Sequence, residues 1–360
     1  METRIFLGTA IAALTLASCA QKADGEPRYA LGDCRRVTLI DESDGRTIVG
    51  AEDLAFDSAA RRVLISAYDR HAVEREARRG AVEIEEGGIY AAPIDALKSG
   101  KTTLTLPSIV SRDTVAGGLR PHGISFDGDR REVAFINRSY QKINGDWRVT
   151  PRLERAGPDG AVYISDGGDP RCSANDVAML GEETFVSFDH AACGWRGGLE
   201  DLFATRASGL DGAGRVGLFD GARHANGVVA TKDNRLALAA TRDKAVMFLE
   251  RRGEEFSLER TISLPGAPDN LTLGEGGRII AALHPSLLAI GAERRLGWGR
   301  SGSRVVSIDP QDGAVELLYD DPKARLLSAA SAAVEEEGVL VIGSALDRGI
   351  VVCQRSDIAS

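Results

Sequence analysis

One unit recurs six times along the 360-residue chain: a polar head, an apolar strand-like run and, about ten residues on, a second apolar run. The heads are Glu52-Asp53, His122-Gly123, Asn175-Asp176, Asn226-Gly227 and Asp269-Asn270; a sixth copy, Leu327–Val334, lacks a polar head. Second runs follow at Arg62–Ser66, Glu132–Ile136, Thr184–Phe188, Arg235–Ala239, Arg278–Ala282 and Val339–Ser344. Heads near residues 52, 122, 175, 226, 270 and 328 give a period close to 50 residues. Repeats of that length holding several short strands are the mark of propeller blades. Further strand-like runs (Gly88–Ala91, Ala161–Ile164, Ala245–Leu249 and Arg304–Ile308) and Gly/Asp/Asn turns such as Lys232-Asp233-Asn234 supply the rest of each blade. No strand is followed by a convincing ten-residue amphipathic helix, which excludes a βαβ design. The expectation is an all-β, six-bladed β-propeller.

Inner propeller strands line a central channel, so residues at matching positions converge there. This gathers Glu52, Asn175, Asn226, Asp269 and Asn270. All present hard oxygen, and two are anionic, a donor set that suits Ca²⁺. Neighbours in an extended strand point opposite ways. Asp53 and Asp176 are therefore expected at a second site, completed by a backbone carbonyl near Ile124. The competing reading is that these Asn and Asp residues cap turns at strand starts. The charged run Arg70–Arg79 reads as a solvated loop or short helix. Gly197–Ala204 and Pro285–Ile290 are more apolar insertions that either border a pocket or pack on the rim. His71 and His224 read as ordinary surface or loop residues. The Gly212–Gly217 stretch matches a dinucleotide pattern but opens no helix, and no G-x-S-x-G elbow occurs.

A net charge of −9 argues against a nucleic-acid partner. Residues 5–16 read as a signal-peptide core, too short to span a membrane. Leu16-Ala17-Ser18-Cys19 then resembles a bacterial lipobox, with Cys19 as the lipidated residue; an ordinary cleaved signal ending near Ala20 is the other reading. The lipobox predicts a lipid-anchored envelope protein, outer-membrane and facing the periplasm. Membrane contact would be through the anchor alone. Residues 20–30 read as a tether and 31–356 as one propeller. The four remaining cysteines suit two disulfides, with three pairings open. Cys34 begins the folded region and Cys353 nearly ends it, while Cys172 and Cys193 flank one repeat, so Cys34–Cys353 and Cys172–Cys193 are the favoured pairs.

The motifs Leu31-Gly32-Asp33-Cys34, Glu52-Asp53-Leu54, Pro121-His122-Gly123-Ile124-Ser125, Asn175-Asp176, Asp189-His190, Asn226-Gly227, Asp269-Asn270, His284-Pro285 and Cys353 run in order from residue 31 to 353. In this respect the chain resembles the paraoxonase/arylesterase family of calcium-dependent six-bladed propeller lactonases, which is related to the gluconolactonases. The resemblance implies a catalytic calcium on Glu52, Asn175, Asn226, Asp269 and Asn270. It implies a structural calcium on Asp53, Asp176 and the Ile124 carbonyl, and a Cys34–Cys353 bond. It makes His122 the general base, with His190 and His284 near the substrate, a small ester or lactone. One departure is plain: where the animal enzymes carry a second histidine, this chain has Arg138, which cannot accept a proton and either anchors a carboxylate or leaves His122 unassisted. Rival readings are a propeller hydrolase of sugar lactones or organophosphates, and a non-catalytic propeller that binds ligands on its rim.

Overall fold

The computed structural model describes residues 25–164, 170–203, 205–231 and 234–355. Cys19 and the leader lie outside these, as do Lys232 and Asp233 of one expected turn. Six small sheets are present, each opened by one of the expected hairpins. The inner strands are Ala51–Asp57, Pro121–Asp127, Ala174–Leu180, Ala225–Ala230, Ala267–Leu273 and Ala330–Glu336, for blades 1 to 6 in chain order. Each inner strand packs on the next, and that of blade 6 packs on that of blade 1, closing the ring.

Ring closure also uses the chain ends. Strand Cys34–Asp41 runs antiparallel to Ile350–Gln354 in blade 6, with Cys34 opposite Cys353. On its other side it takes Thr103–Leu106 in parallel, so blade 6 has five strands and blade 1 three. Both expected disulfides are present, Cys34–Cys353 and Cys172–Cys193. The fold begins earlier than the sequence suggested. The Arg28 and Tyr29 amides donate to the Leu317 and Leu318 carbonyls, each at 2.9 Å, on the outer strand of blade 5. Arg28 pairs with Glu335 at 2.8 Å and also with Glu316, and the Tyr29 ring is buried. A stretch read as tether from its polarity is held by acidic partners distant in sequence.

Apolar faces of neighbouring blades meet in continuous cores. Val63 and Ile65 of blade 1 share one with Val334, Val341 and Val352 of blade 6, and full burial of each such side chain is worth about 1.5–3 kcal/mol. Small side chains set the inner spacing: Ala237, Ala239, Ala281, Ala282, Ala332 and Ala333 are all fully buried.

One local feature positions the channel side chains. Every inner hairpin shifts register at its head: between Ala51 and Asp53, Pro121 and Ile124, Ala174 and Val177, Ala225 and Val228, Pro268 and Leu271, and Ala330 and Ala332. A bulge leaves its extra residue unpaired and re-aims it. The polar heads are these bulges.

Close approach of the strands needs glycine at two of them. A Cβ on Gly123 would strike the Asp176 backbone and carboxylate of the next inner strand. One on Gly227 would come within 2.6 Å of the Asn270 Cα and 2.7 Å of the Asp269 carbonyl.

Among the described residues, three helices sit outside the sheets as insertions, besides the short helix Ile94–Lys98 that leads to strand Thr103–Leu106. Helix Arg70–Arg78 follows blade 1's second strand, with Asp69 as its cap, accepting from the Ala72 amide at 2.8 Å. Trp195–Phe203 and Leu287–Leu296 occupy the two apolar insertions. Among the described residues no helix is long and apolar enough to cross a membrane.

Candidate functional site

The bulges bring the expected oxygen donors to one end of the channel. A cavity of about 120 Å³ is lined by Glu52, His122, Asn175, Asn226, Asp269 and His284, together with Arg70, Arg138, Asp189, His224, Thr241, Leu287, Ile290 and Arg294. Asn270 is buried beside it: its amide donates to the Glu52 carbonyl at 2.9 Å, while its Oδ1 is buried without a hydrogen-bond partner. The Asn226 amide donates to Asp269 Oδ1, and Asp269 Oδ2 lies 2.9 Å from His284 Nε2. Blade 6, which offers no charged head, places Ser331 at its bulge. The Ser331 hydroxyl donates to the Glu52 carbonyl at 2.7 Å and fixes that strand.

Glu52 is the hub. Its Oε1 lies 3.3 Å from His122 Nδ1 and 3.4 Å from an Arg70 guanidinium nitrogen. Burial raises the Glu52 carboxyl, Arg70 pulls it back, and Asp269 raises it again. Burial likewise works against the Arg70 charge, and the negative charge of Glu52 more than restores it. Burial first, then the charges of Arg138, Arg70 and Arg294, hold the His122 imidazole well below its ordinary value. His122 is therefore neutral and has a lone pair to offer.

One step deeper, Asp53 and Asp176 are buried close together. Asp53 accepts from the Leu54 and Ile124 amides at 2.8 and 2.7 Å. Asp176 accepts from the Val177 and Val228 amides, both at 2.7 Å. The contact at Ile124 is thus its N–H; the expectation concerned its carbonyl. Burial, with the neighbouring carboxylate second, lifts Asp53 well above its ordinary value, and burial pushes Asp176 up to about 8. Two carboxylates in one dry place demand a proton or a cation between them.

The residues present therefore fit two hard cations. The upper site offers an orphaned amide oxygen on Asn270 and two carboxylates, Glu52 and Asp269, that repel each other. The lower site offers Asp53 and Asp176.

His190 Nδ1 lies 2.7 Å from Asp189 Oδ1, and its ring meets that of His224 edge to face at 5.2 Å. Ligand-type atoms of Asp189, His190 and His224 fall within 4.8 Å of one another. Burial raises the Asp189 carboxyl, but the hydrogen bond to His190 and the charges nearby bring it below its usual range. His190 lies on the wall of a wider outer cavity of about 730 Å³, which shares Asp189, Arg138 and Arg294 with the channel.

Two readings need correction. His224 is not an ordinary loop residue: it lines the channel, held at a left-handed φ of 58° in the turn before blade 4's inner strand. The Arg70–Arg79 run is not merely solvated, because Arg70 is buried against Glu52 and His122. The insertion Pro285–Ile290 does border the pocket, through Leu287 and Ile290. Sequence reasoning missed Arg70, Arg294 and Ser331. The only signals for them were an Asp cap before a basic helix, a basic last turn, and a serine at the blade 6 head position.

Fold and site together define a closed six-bladed propeller with a polar, acid-lined channel. Its solved structural relatives share that architecture. A gluconolactonase from Xanthomonas campestris superposes with a TM-score of 0.51 at 14% identity, covering 92% of this chain and 96% of that one. A structural-genomics protein assigned to the gluconolactonases gives 0.50 at 16%, covering 89% and 91%. A protein of unknown function from Bacteroides thetaiotaomicron gives 0.53 at 12%, covering 89% and 74%. At these identities the likeness establishes the fold. No protein-family model and no curated protein matches the sequence.

Proposed function

We propose that the chain is a calcium-dependent hydrolase of carboxylic esters, with lactones as its substrate class. The observation that carries this reading is the convergence of Glu52, Asn175, Asn226, Asp269 and the orphaned Asn270 oxygen on one cavity that also holds a neutral His122. In it, Glu52, Asn175, Asn226, Asp269 and Asn270 hold the catalytic calcium, and Asp53, Asp176 and the Ile124 carbonyl hold a structural one. Calcium, when bound, polarises the substrate carbonyl and favours the charge that develops on its oxygen.

The chain's own residues do the proton work. His122 Nδ1 lies between Glu52 Oε1 at 3.3 Å and the donor-only Arg70 guanidinium at 3.1 Å; in the tautomer that turns Nδ1–H to Glu52, Nε2 keeps its lone pair for a water molecule. Glu52 thus orients the imidazole, a task that a second histidine performs in the resembled family. The imidazole takes the proton as the water oxygen attacks the carbonyl carbon. The carbonyl–oxygen bond of the ester then breaks, and His122 returns the proton to the leaving alkoxide. His284 holds Asp269, and His190 faces the outer cavity where substrate enters. The lipobox at Cys19 and the two disulfides make a lipid-anchored, periplasm-facing outer-membrane protein the proposed setting.

The test is turnover of an aliphatic lactone, an acyl-homoserine lactone and phenyl acetate, with and without chelator, in wild type and His122→Gln. The expected result is chelator-sensitive turnover that falls by about 10²–10⁴ in the variant. Turnover that survives chelation would sink the metal role; turnover that survives only the substitution would remove His122 as the base.

A further inference from the structure

We propose that Arg138 and Arg294 form a carboxylate clamp at the junction of the outer cavity and the channel, so that the substrate is a lactone or ester already carrying a carboxylate. This rests on the hydrolase reading and narrows its substrate class. Both arginines line both cavities. Arg138 stands on the second strand of blade 2 and Arg294 on helix Leu287–Leu296, from opposite sides of the ring.

The charge balance is unusual for this chain. The protein carries a net −9, yet its outer cavity is lined by Arg138, Arg148, Arg294 and Arg295 against one carboxylate, Asp189. Several other arginines are matched by carboxylates, as Arg61 with Asp95 and Glu337, Arg112 with Asp41 and Arg300 with Asp347, and the buried Arg120 is held by the Ile84, Glu85 and Gly117 carbonyls. Among the described residues neither Arg138 nor Arg294 is ion-paired, and Arg138 Nε is buried without a hydrogen-bond partner. The two charges crowd Arg70, whose own partner is Glu52, and Arg294 is held below its usual value first by Arg70, then by burial and Arg138. In the channel, Arg70, Arg138 and Arg294 already balance Glu52, Asp189 and Asp269. A dication added there leaves an excess of positive charge that an anion must answer.

Guanidinium forks suit a carboxylate because two N–H groups meet two oxygens. The outer cavity, at about 730 Å³, has room for a small organic acid. A substrate held by its carboxylate on Arg138 and Arg294 extends its ester carbonyl inward, toward Glu52 and His122.

The experiment has two arms. One compares kcat/KM for γ-butyrolactone and for the same ring bearing a carboxylate, in wild type, Arg138→Gln and Arg294→Gln. The other measures glutarate and inorganic phosphate binding by calorimetry to the calcium-loaded protein, freed of excess calcium. The expected result is a tenfold or greater preference for the carboxylated ring that falls toward parity in either variant, with glutarate binding weakened at least tenfold. Arg294 lines the cavities from a helix outside the sheets and keeps part of its surface in solvent, so its variant tests the clamp even where Arg138→Gln fails to fold. Equal turnover of the two rings with no glutarate binding would overturn the clamp and leave the hydrolase reading standing. Arginine-dependent glutarate binding with neither ring turned over would keep the clamp and remove the hydrolase reading. Phosphate bound more tightly than glutarate, with the same arginine dependence, would overturn the carboxylate assignment.

Discussion

An Arg70 guanidinium nitrogen lies 3.1 Å from His122 Nδ1, in a place where burial makes any unpaired charge costly. The same nitrogen reaches Glu52 at 3.4 Å, so one guanidinium neutralises the channel's central carboxylate while touching its imidazole. Removing it strands Glu52 near Asp269. Breaking a buried pair costs about 3–5 kcal/mol. In chelator, Arg70→Met is expected to lose about 3 kcal/mol of stability in urea, the lower end because Arg138 and Arg294 also face Glu52. Calcium is then expected to stabilise the variant more than wild type, since the ion takes over the neutralising role. Equal stability of the two proteins in chelator would show that Arg70 does not hold Glu52.

Gly227 sets the distance between blades 4 and 5 at the channel. A methyl there meets backbone on the next strand, at Asn270 Cα and the Asp269 carbonyl, where no flexible side chain can yield. Overpacking of this kind costs about 1–3 kcal/mol. Gly227→Ala is expected to fall in that range by denaturant unfolding. It should also weaken calcium binding, because Asn226, Asp269 and Asn270 move with the strands. A variant with unchanged calcium affinity would mean that the inner strands tolerate separation.

The hairpins were legible because each joins a polar head to two apolar runs, and that periodicity survives in all six blades. Simple strand alternation separated Glu52 from Asp53 and Asn175 from Asp176, but it gave no account of Asp269 and Asn270 acting together. The register shift between Pro268 and Leu271 supplies one. A bulge depends on pairing with a partner strand, so it leaves little trace in a single stretch of sequence. Arg70 was hidden for a related reason. Its neighbours Arg75, Arg78 and Arg79 face solvent, and only the position of the helix over the channel separates one buried arginine from a charged run. His224 was hidden because its left-handed turn, not its neighbours, aims it inward.

The Cys34–Cys353 bond joins residues separated by 319 positions and ties the strand that closes the ring. Chain-entropy reasoning gives roughly 5 kcal/mol for a loop this long. Replacing both cysteines with serine is expected to lower the unfolding free energy by several kcal/mol, read by urea denaturation of the oxidised proteins. The Cys172–Cys193 bond spans only 21 positions and should matter less to global stability. Its loss is expected instead in catalysis, since both residues line the outer cavity. Equal destabilisation by the two double substitutions would contradict this division.

Acid stability should depend on Asp41, at the end of the ring-closing strand. Burial alone would raise this carboxyl, but hydrogen bonds from Ser43, Arg112 and Tyr90 outweigh it and hold it at about 2. The folded state therefore binds a proton at Asp41 less readily than the unfolded chain, whose aspartates titrate near 3.9. The sign follows from linkage: this stabilisation is present in full above about pH 4 and is lost as the pH falls toward 2. Asp41→Asn leaves Arg112 without its carboxylate and is expected to cost about 3 kcal/mol at pH 7. The gap between variant and wild type should narrow steadily between about pH 4 and pH 2 as the wild-type carboxyl takes up its proton. Unfolding free energies across that window, measured in chelator so that the channel carboxylates carry no bound ion, would check it; a gap that stays constant down to pH 2 would show that the Asp41 charge is not what stabilises the strand.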